Sequence, residues 1–141
     1  MIQAAPLPHR PLGNTGLEVT SLCIGCAPLG SMQETFAYSV AEEQAFATIR
    51  AIFAGPVNFL DTAASYGDGE SERRLGMVLR GLGGLPAGFV LASKADRDLQ
   101  RESLAASRCA AVWSAACACW GWTTCNCSIC MIQNTSPLNT P

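Results

Sequence analysis

Apolar positions along the first hundred residues follow two alternating rhythms. Val19 to Gly25 is short, mostly apolar and β-prone, which predicts a buried strand. Phe46, Ile49, Ile52 and Phe53 then recur at helical spacing on one face. Ser39-Val40-Ala41-Glu42 has the form of a capping box ahead of that helix, and Gly55 closes it. Val57-Asn58-Phe59-Leu60 predicts a second strand with Asp61 at its carboxyl end. Leu75, Val78, Leu79 and Leu82 form the apolar face of a second helix, with Ser71 as its candidate cap and Gly81, Gly83 and Gly84 at its end. Phe89-Val90-Leu91-Ala92 predicts a third strand, and Lys94 follows it. Upstream, Leu12-Gly13-Asn14-Thr15-Gly16-Leu17 predicts a hairpin turn in which Asn and Gly supply positive φ.

The order is hairpin, strand, helix, strand, helix, strand. Strands that alternate with helices imply an α/β fold of parallel βαβ units with right-handed crossovers. In a (β/α)8 barrel the chemistry sits at the carboxyl ends of the strands. Asp61, Tyr66 and Lys94 all lie at or just after such ends. Lys94 is the only lysine in the chain and Tyr66 one of two tyrosines. A phenol titrates near pH ~10 unless a neighbouring cation lowers that value. Tuned in that way, it can exchange a proton with a carbonyl oxygen at neutral pH. Taken singly, each residue has a plainer role: Asp61 as a turn or helix cap, Tyr66 as a packed loop aromatic, Lys94 as a surface charge. Gly67-Asp68-Gly69 reads as a plain turn rather than a phosphate cradle, and His9 as a solvated end residue.

The order and wording of these segments resemble the aldo-keto reductases. Pro11 to Val19 is similar to their opening hairpin. Asn58-Phe59-Leu60-Asp61-Thr62-Ala63 with Tyr66-Gly67 resembles their second-strand motif. Gly69 to Gly76 is similar to the helix that follows, and Leu91-Ala92-Ser93-Lys94 to the third-strand motif. The wording from Tyr66 to Arg74 resembles the branch acting on aldoses such as fucose. The resemblance implies the N-terminal part of a (β/α)8 TIM barrel preceded by a β-hairpin. It also implies hydride transfer between NAD or NADP and a small carbonyl, sugar or alcohol. On that reading Tyr66 is the general acid or base, Lys94 lowers its pKa, and Asp61 holds and charge-balances Lys94. Gly25, Cys26 and Ala27 match positions that approach the nicotinamide, beside Asp61. The chain has no GxGxxG, and the family binds its cofactor without one.

Bulk properties narrow the partners. The chain has 141 residues and a net charge of −2, which gives no sign of a nucleic-acid or acidic-membrane partner. Met1 to Leu12 contains Pro6, Pro8 and Pro11 and no apolar signal core, so a cytoplasmic location is expected.

Composition breaks near residue 100. Residues 1–100 hold only Cys23 and Cys26 and no tryptophan; residues 101–141 hold the other six of 8 cysteines and all 3 tryptophans. The two stretches are therefore treated apart, as a partial barrel over 1–100 and an irregular tail over 101–141. The tail also lacks the histidine that the family carries on its next strand.

Three readings fit the tail. Cys127-x-x-Cys130 has a metal-knuckle spacing, which makes a non-enzymatic metal- or thiol-binding protein the alternative function. Cys109 to Ile132 is uncharged, but Thr123, Thr124, Asn126 and Ser128 break the run and make it a poor membrane span. A shifted reading frame explains more. Taking the last base of each codon with the first two of the next, the genetic code forces leucine at Cys119-Trp120, glycine at Trp120-Gly121 and aspartate at Trp122-Thr123. Asn126-Cys127 gives leucine, Cys130-Met131 gives histidine or tyrosine, and Met131-Ile132 gives aspartate. The shifted frame thus admits a run like the family's fourth-strand motif, with its histidine, and leucine codons read out of register yield cysteine and tryptophan. The departure falls near Gln100. On this reading the third strand has a bare edge, and the chain as written is unstable and inactive.

Overall fold

The computed structural model describes residues 7–94 in full, and beyond them the backbone of three short strands, Arg97–Asp98, Ser103–Leu104 and Ile129–Gln133. The elements run β1 (His9–Pro11), β2 (Glu18–Thr20), β3 (Ile24–Gly25), a 3-10 turn (Ala27–Gly30), α1 (Gln33–Phe36), α2 (Glu42–Phe53), β4 (Phe59–Asp61), α3 (Glu70–Gly81) and β5 (Val90–Lys94). After them come β6 (Arg97–Asp98), β7 (Ser103–Leu104) and β8 (Ile129–Gln133).

β1 and β2 form the antiparallel hairpin, with Arg10 opposite Val19. Leu12 N–H donates to Leu17 O at 2.8 Å across the loop, and the Thr15 hydroxyl donates to Leu12 O at 2.6 Å. Positive φ is supplied by Gly13 and Gly16 alone; Asn14 does not adopt it. The apolar run expected as one strand from Val19 to Gly25 is divided instead. Thr20 ends the hairpin, and its hydroxyl donates to Leu22 O at 2.7 Å, turning the chain before β3 begins at Ile24.

β3, β4 and β5 are parallel neighbours, in the order a barrel requires. α2 and α3 are their crossovers and supply one side of the core. Cys26, Leu29, Ala45, Ile49, Leu60, Leu75, Val78, Leu79, Leu85 and Leu91 form one buried cluster, edged by Phe46, Ile52, Phe53 and Phe89. The helix faces read from the spacing are therefore the faces that pack, except that Leu82 lies past the end of α3 and is exposed. Full burial of a leucine or isoleucine side chain stabilises by roughly 1.5–3 kcal/mol, so this cluster is what holds the helices on the sheet.

Neither helix is capped as expected. Ala41 is the N-cap of α2, and no side chain bonds there; Ser39 lies two residues too early for the box to close. The acidic first turn, Glu42 and Glu43, and Arg50 in the last turn complement the helix dipole instead. α3 starts after Gly69, in the left-handed region at φ 87°, so Ser71 sits inside the helix and is wholly buried.

The tail is not irregular throughout. β8 pairs antiparallel with β5 over five residues, from Val90 opposite Gln133 to Lys94 opposite Ile129. The edge of β5 expected to be bare is thus occupied. An edge strand offers unpaired N–H and C=O groups, and an extended uncharged segment is a ready partner for them. The remainder of 101–141, including Cys109, Cys117, Cys119, Cys125 and Cys127, lies outside the described residues, so the readings made for it concern residues without a described structure.

Candidate active site

Strand register brings the expected residues together. Asp61, the last residue of β4, is level with Gly25 of β3 and Ala92 of β5. Lys94 lies two residues beyond Ala92, and side chains two apart on a strand share a face. Lys94 and Asp61 therefore point to the same side of the sheet at its carboxyl edge. A slip of one residue would send them to opposite faces.

Lys94 Nζ donates to Asp61 Oδ2 at 2.5 Å, to the Tyr66 hydroxyl at 3.3 Å and to Thr62 O at 3.2 Å. The Tyr66 hydroxyl also approaches Asp61 Oδ2 at 3.5 Å, the outer limit of a hydrogen bond. Lys94 and Asp61 side chains are 36% and 30% exposed, so the pair is reachable from solvent. Burial pulls the Lys94 amine down, but its hydrogen bonds to Asp61 and Tyr66 and the charge of both outweigh this, and the net effect is upward. Lys94 is held as an ammonium ion. The acid, phenol and amine singled out in the sequence are one hydrogen-bonded set.

The loop carrying Tyr66 is fixed by close backbone contact. Gly67, at φ 65°, lies against Gly30 at the end of the 3-10 turn; a Cβ on Gly67 would fall 2.1 Å from Gly30 O. A Cβ on Gly30 would fall 2.7 Å from the carbonyl carbon of Tyr66. Only two glycines allow this approach. Gly67-Asp68-Gly69 is a left-handed turn leading into α3, in line with the plain-turn reading.

Arg74, Glu70, Asn58, Thr62 and Ser71 brace this arrangement, and of these five the sequence pattern assigns a role only to Ser71, as a cap. Arg74 is buried; it donates to Leu29 O at 2.8 Å and Val40 O at 3.0 Å and pairs with Glu70 at 2.7 Å. Glu70 also bonds Arg73, and the two guanidinium groups hold its carboxyl at about 2, well below its ordinary value. Asn58 accepts from Thr20 N–H at 2.7 Å and donates to Glu18 O and Gly88 O, tying the hairpin to the starts of β4 and β5. Thr62 and Ser71 share a buried hydrogen bond of 2.9 Å. For Arg74 and Ser71 a signal was available: both are polar residues on the apolar stripe of α3.

Residues expected beside a nicotinamide ring are placed unequally. Gly25 is exposed and has open space where a side chain would stand. Ala27 is half-buried at the start of the 3-10 turn. The Cys26 side chain is wholly buried in the core, where desolvation pushes its thiol up to about 12. Cys26 N–H is bonded to Asp61 O, and Cys26 O accepts from Ser71. Cys23 is exposed, with its thiol raised by partial burial. Among the described residues no three His, Cys, Asp or Glu side chains group as a metal site, and no helix is long and apolar enough to cross a membrane.

An acid, a phenol and an amine are thus joined at the carboxyl edge of a short parallel sheet, a set that can hold and pass a proton. Comparison with known proteins gives the family. The model of the aldo/keto reductase family matches residues 21–111. L-galactose dehydrogenase of Arabidopsis thaliana is 38% identical over 99 residues, which is 70% of this chain and 30% of that protein. Pyridoxal 4-dehydrogenase of Microbacterium luteolum is 36% identical over 93 residues, 66% of this chain and 25% of that protein. A solved aldo-keto reductase from Bacillus halodurans, in its holo form, is 31% identical with a TM-score of 0.44, covering 53% of this chain and 22% of that chain. The chain belongs to the aldo/keto reductase family. It spans about a quarter to a third of the length of these two curated relatives.

Proposed function

We propose that this chain is the N-terminal part of an NAD(P)-dependent aldo-keto reductase acting on a small carbonyl, sugar or alcohol. The observation that carries the reading is the Lys94–Asp61–Tyr66 set at the carboxyl ends of β4 and β5, in a chain of that family. The Tyr66 hydroxyl is the group that gives a proton to the substrate oxygen in reduction and takes it in oxidation. Lys94, held as an ammonium ion by Asp61, directs positive charge at that hydroxyl. Asp61 keeps the amine in place, and Thr62 O fixes its third hydrogen bond.

Gly25, level with Asp61, has nothing within 4 Å of where a side chain would stand, which leaves room for the approach of a ring there. Gly25, Ala27 and Asp61 would hold the nicotinamide end, while Cys26, with its thiol in the core, offers only its place in the backbone. A bound nicotinamide would supply or accept the hydride. The aldose branch is the substrate class favoured, since the wording around Tyr66 points to it and L-galactose dehydrogenase is among the relatives.

The chain as written is proposed to be inactive, because no histidine follows Lys94 where the family carries one on its next strand; the shifted frame at Cys130-Met131 would give histidine or tyrosine. Nucleotide sequence past codon 100 tests this directly: an early stop in the shifted frame, or no histidine codon there, ends the frameshift reading. In a protein translated from the restored frame, turnover of aldoses followed by nicotinamide absorbance is expected. Tyr66→Phe should abolish it while cofactor binding persists; unchanged turnover would remove Tyr66 from the mechanism.

A further inference from the structure

Each member of the Lys94–Asp61–Tyr66 set is held by a backbone group, and all of these groups lead to one buried hydroxyl-bearing residue. The Ser71 N–H donates to the carbonyl of Tyr66 at 3.2 Å, fixing the loop that carries the phenol. Ser71 Oγ donates to Cys26 O at 2.8 Å, and Cys26 N–H in turn donates to Asp61 O at 2.8 Å. Ser71 Oγ also shares a 2.9 Å hydrogen bond with Thr62 Oγ1, and the carbonyl of Thr62 accepts from Lys94 Nζ at 3.2 Å. Thr62 N–H is anchored to Ala92 O on β5 at 2.8 Å. Ser71 is 0% and Thr62 2% exposed, so water cannot substitute for either hydroxyl. In a buried network every lost partner leaves another polar group unsatisfied, which makes such bonds strongly orienting.

We propose that Ser71 is the positioning residue of this site: through one N–H and one hydroxyl, α3 sets the places of Tyr66, Thr62 and Cys26, and so the geometry of Tyr66, Lys94 and Asp61. Its bearing on catalysis rests on the function proposed above; the positioning itself does not.

Lys94 supplies the test, because it is the only lysine and thus the only side-chain amine in the chain. Pulse acetylation of the full 141-residue chain at a series of pH values, read by peptide mass, reports how firmly the amine is held as ammonium. The charged or titratable groups that bear on it are Asp61 on β4, Tyr66 on the following loop, Cys23 ahead of β3 and the buried Cys26 after it. Neither substrate nor cofactor is needed, so a failure of hydride transfer leaves this readout intact. In Ser71→Ala and Thr62→Val the labelling profile is expected to move to lower pH and the rate at a fixed pH to rise severalfold. Thr62→Ser, which keeps the hydroxyl, should retain the parent profile. Leu79→Ala, a core truncation of α3, should lose stability without moving the profile. A folded Ser71→Ala with an unchanged Lys94 profile overturns the proposal. Should Ser71→Ala fail to fold, Thr62→Val decides in the same way, and an equal shift in Thr62→Ser and Thr62→Val also overturns it.

Discussion

The contact between Gly30 and Gly67 sets the height of the Tyr66 loop, and an added methyl group measures how firmly. In Gly67→Ala two costs arise. The first is conformational: φ is 65°, and an L-residue there costs about 1 kcal/mol. The second is steric: the new Cβ would lie 2.1 Å from Gly30 O, whereas a carbon–oxygen contact needs roughly 3.3 Å. Both partners are backbone, so about 1 Å of movement must come from the 3-10 turn or from the loop itself. Forced overpacking of this sort costs about 1–3 kcal/mol. The sum is about 3 kcal/mol. Gly16→Ala is the control, since Gly16 has φ 76° but nothing within 4 Å of an added Cβ, leaving only the conformational cost of about 1 kcal/mol. Urea unfolding followed by far-ultraviolet circular dichroism gives both losses. Equal losses in the two variants would refute the close contact, and with it the account of how Tyr66 is held.

Asn58→Ala removes three side-chain hydrogen bonds, two to the hairpin and one to Gly88 O ahead of β5, and is expected to cost about 3 kcal/mol. Limited proteolysis should then cut the loop between β1 and β2 faster; an unchanged cutting rate would show the hairpin is held by something else. Glu70 contributes a pH dependence of known sign. Its folded value of about 2 lies below its ordinary 4.5, so the stabilisation is present above 4.5 and is lost as the pH falls toward 2. The urea midpoint of the parent should therefore converge on that of Glu70→Gln at the acid end, and a constant gap between the two would contradict the pairing with Arg73 and Arg74.

Much of this arrangement was legible because it is written locally. Helical spacing identified the packing faces of α2 and α3, and the positions of Asp61, Tyr66 and Lys94 at strand ends followed from the alternation of elements. The misread features depend on where an element begins to within one or two residues. Ser39 and Ser71 both look like caps, yet α2 starts too late for the first and α3 too early for the second. Ser71 is thereby carried into the interior, where its hydroxyl meets Thr62 and Cys26. The division of Val19–Gly25 depends on a Thr20 hydroxyl finding Leu22 O, which no periodicity encodes. β8 escaped notice for a different reason: pairing with β5 is a long-range choice made by whichever extended segment can reach an unpaired edge.

On the proposed function, this stretch of chain organises one half of a hydride-transfer reaction, the half that handles the proton. Asp61, Tyr66 and Lys94 come from two adjacent strands and the loop between one of them and α3. Their geometry is set by strand register, by Gly67 touching Gly30 of the 3-10 turn, and by Ser71 with its bond to Cys26 O. Barrel closure is not needed to align them. The proposed nicotinamide side differs, because the groups there are an open glycine, a half-buried alanine and one edge of Asp61. None of these can grip a dinucleotide through its phosphates. The Asp61–Tyr66–Lys94 set is therefore a local property of the stretch from β3 to β5, whereas the proposed cofactor would have to be held through its phosphates by chain outside that stretch. If the proposed function holds, variants that disturb this set, including those at Gly30 and Ser71, should alter proton handling first, and cofactor affinity should be governed from elsewhere in the barrel.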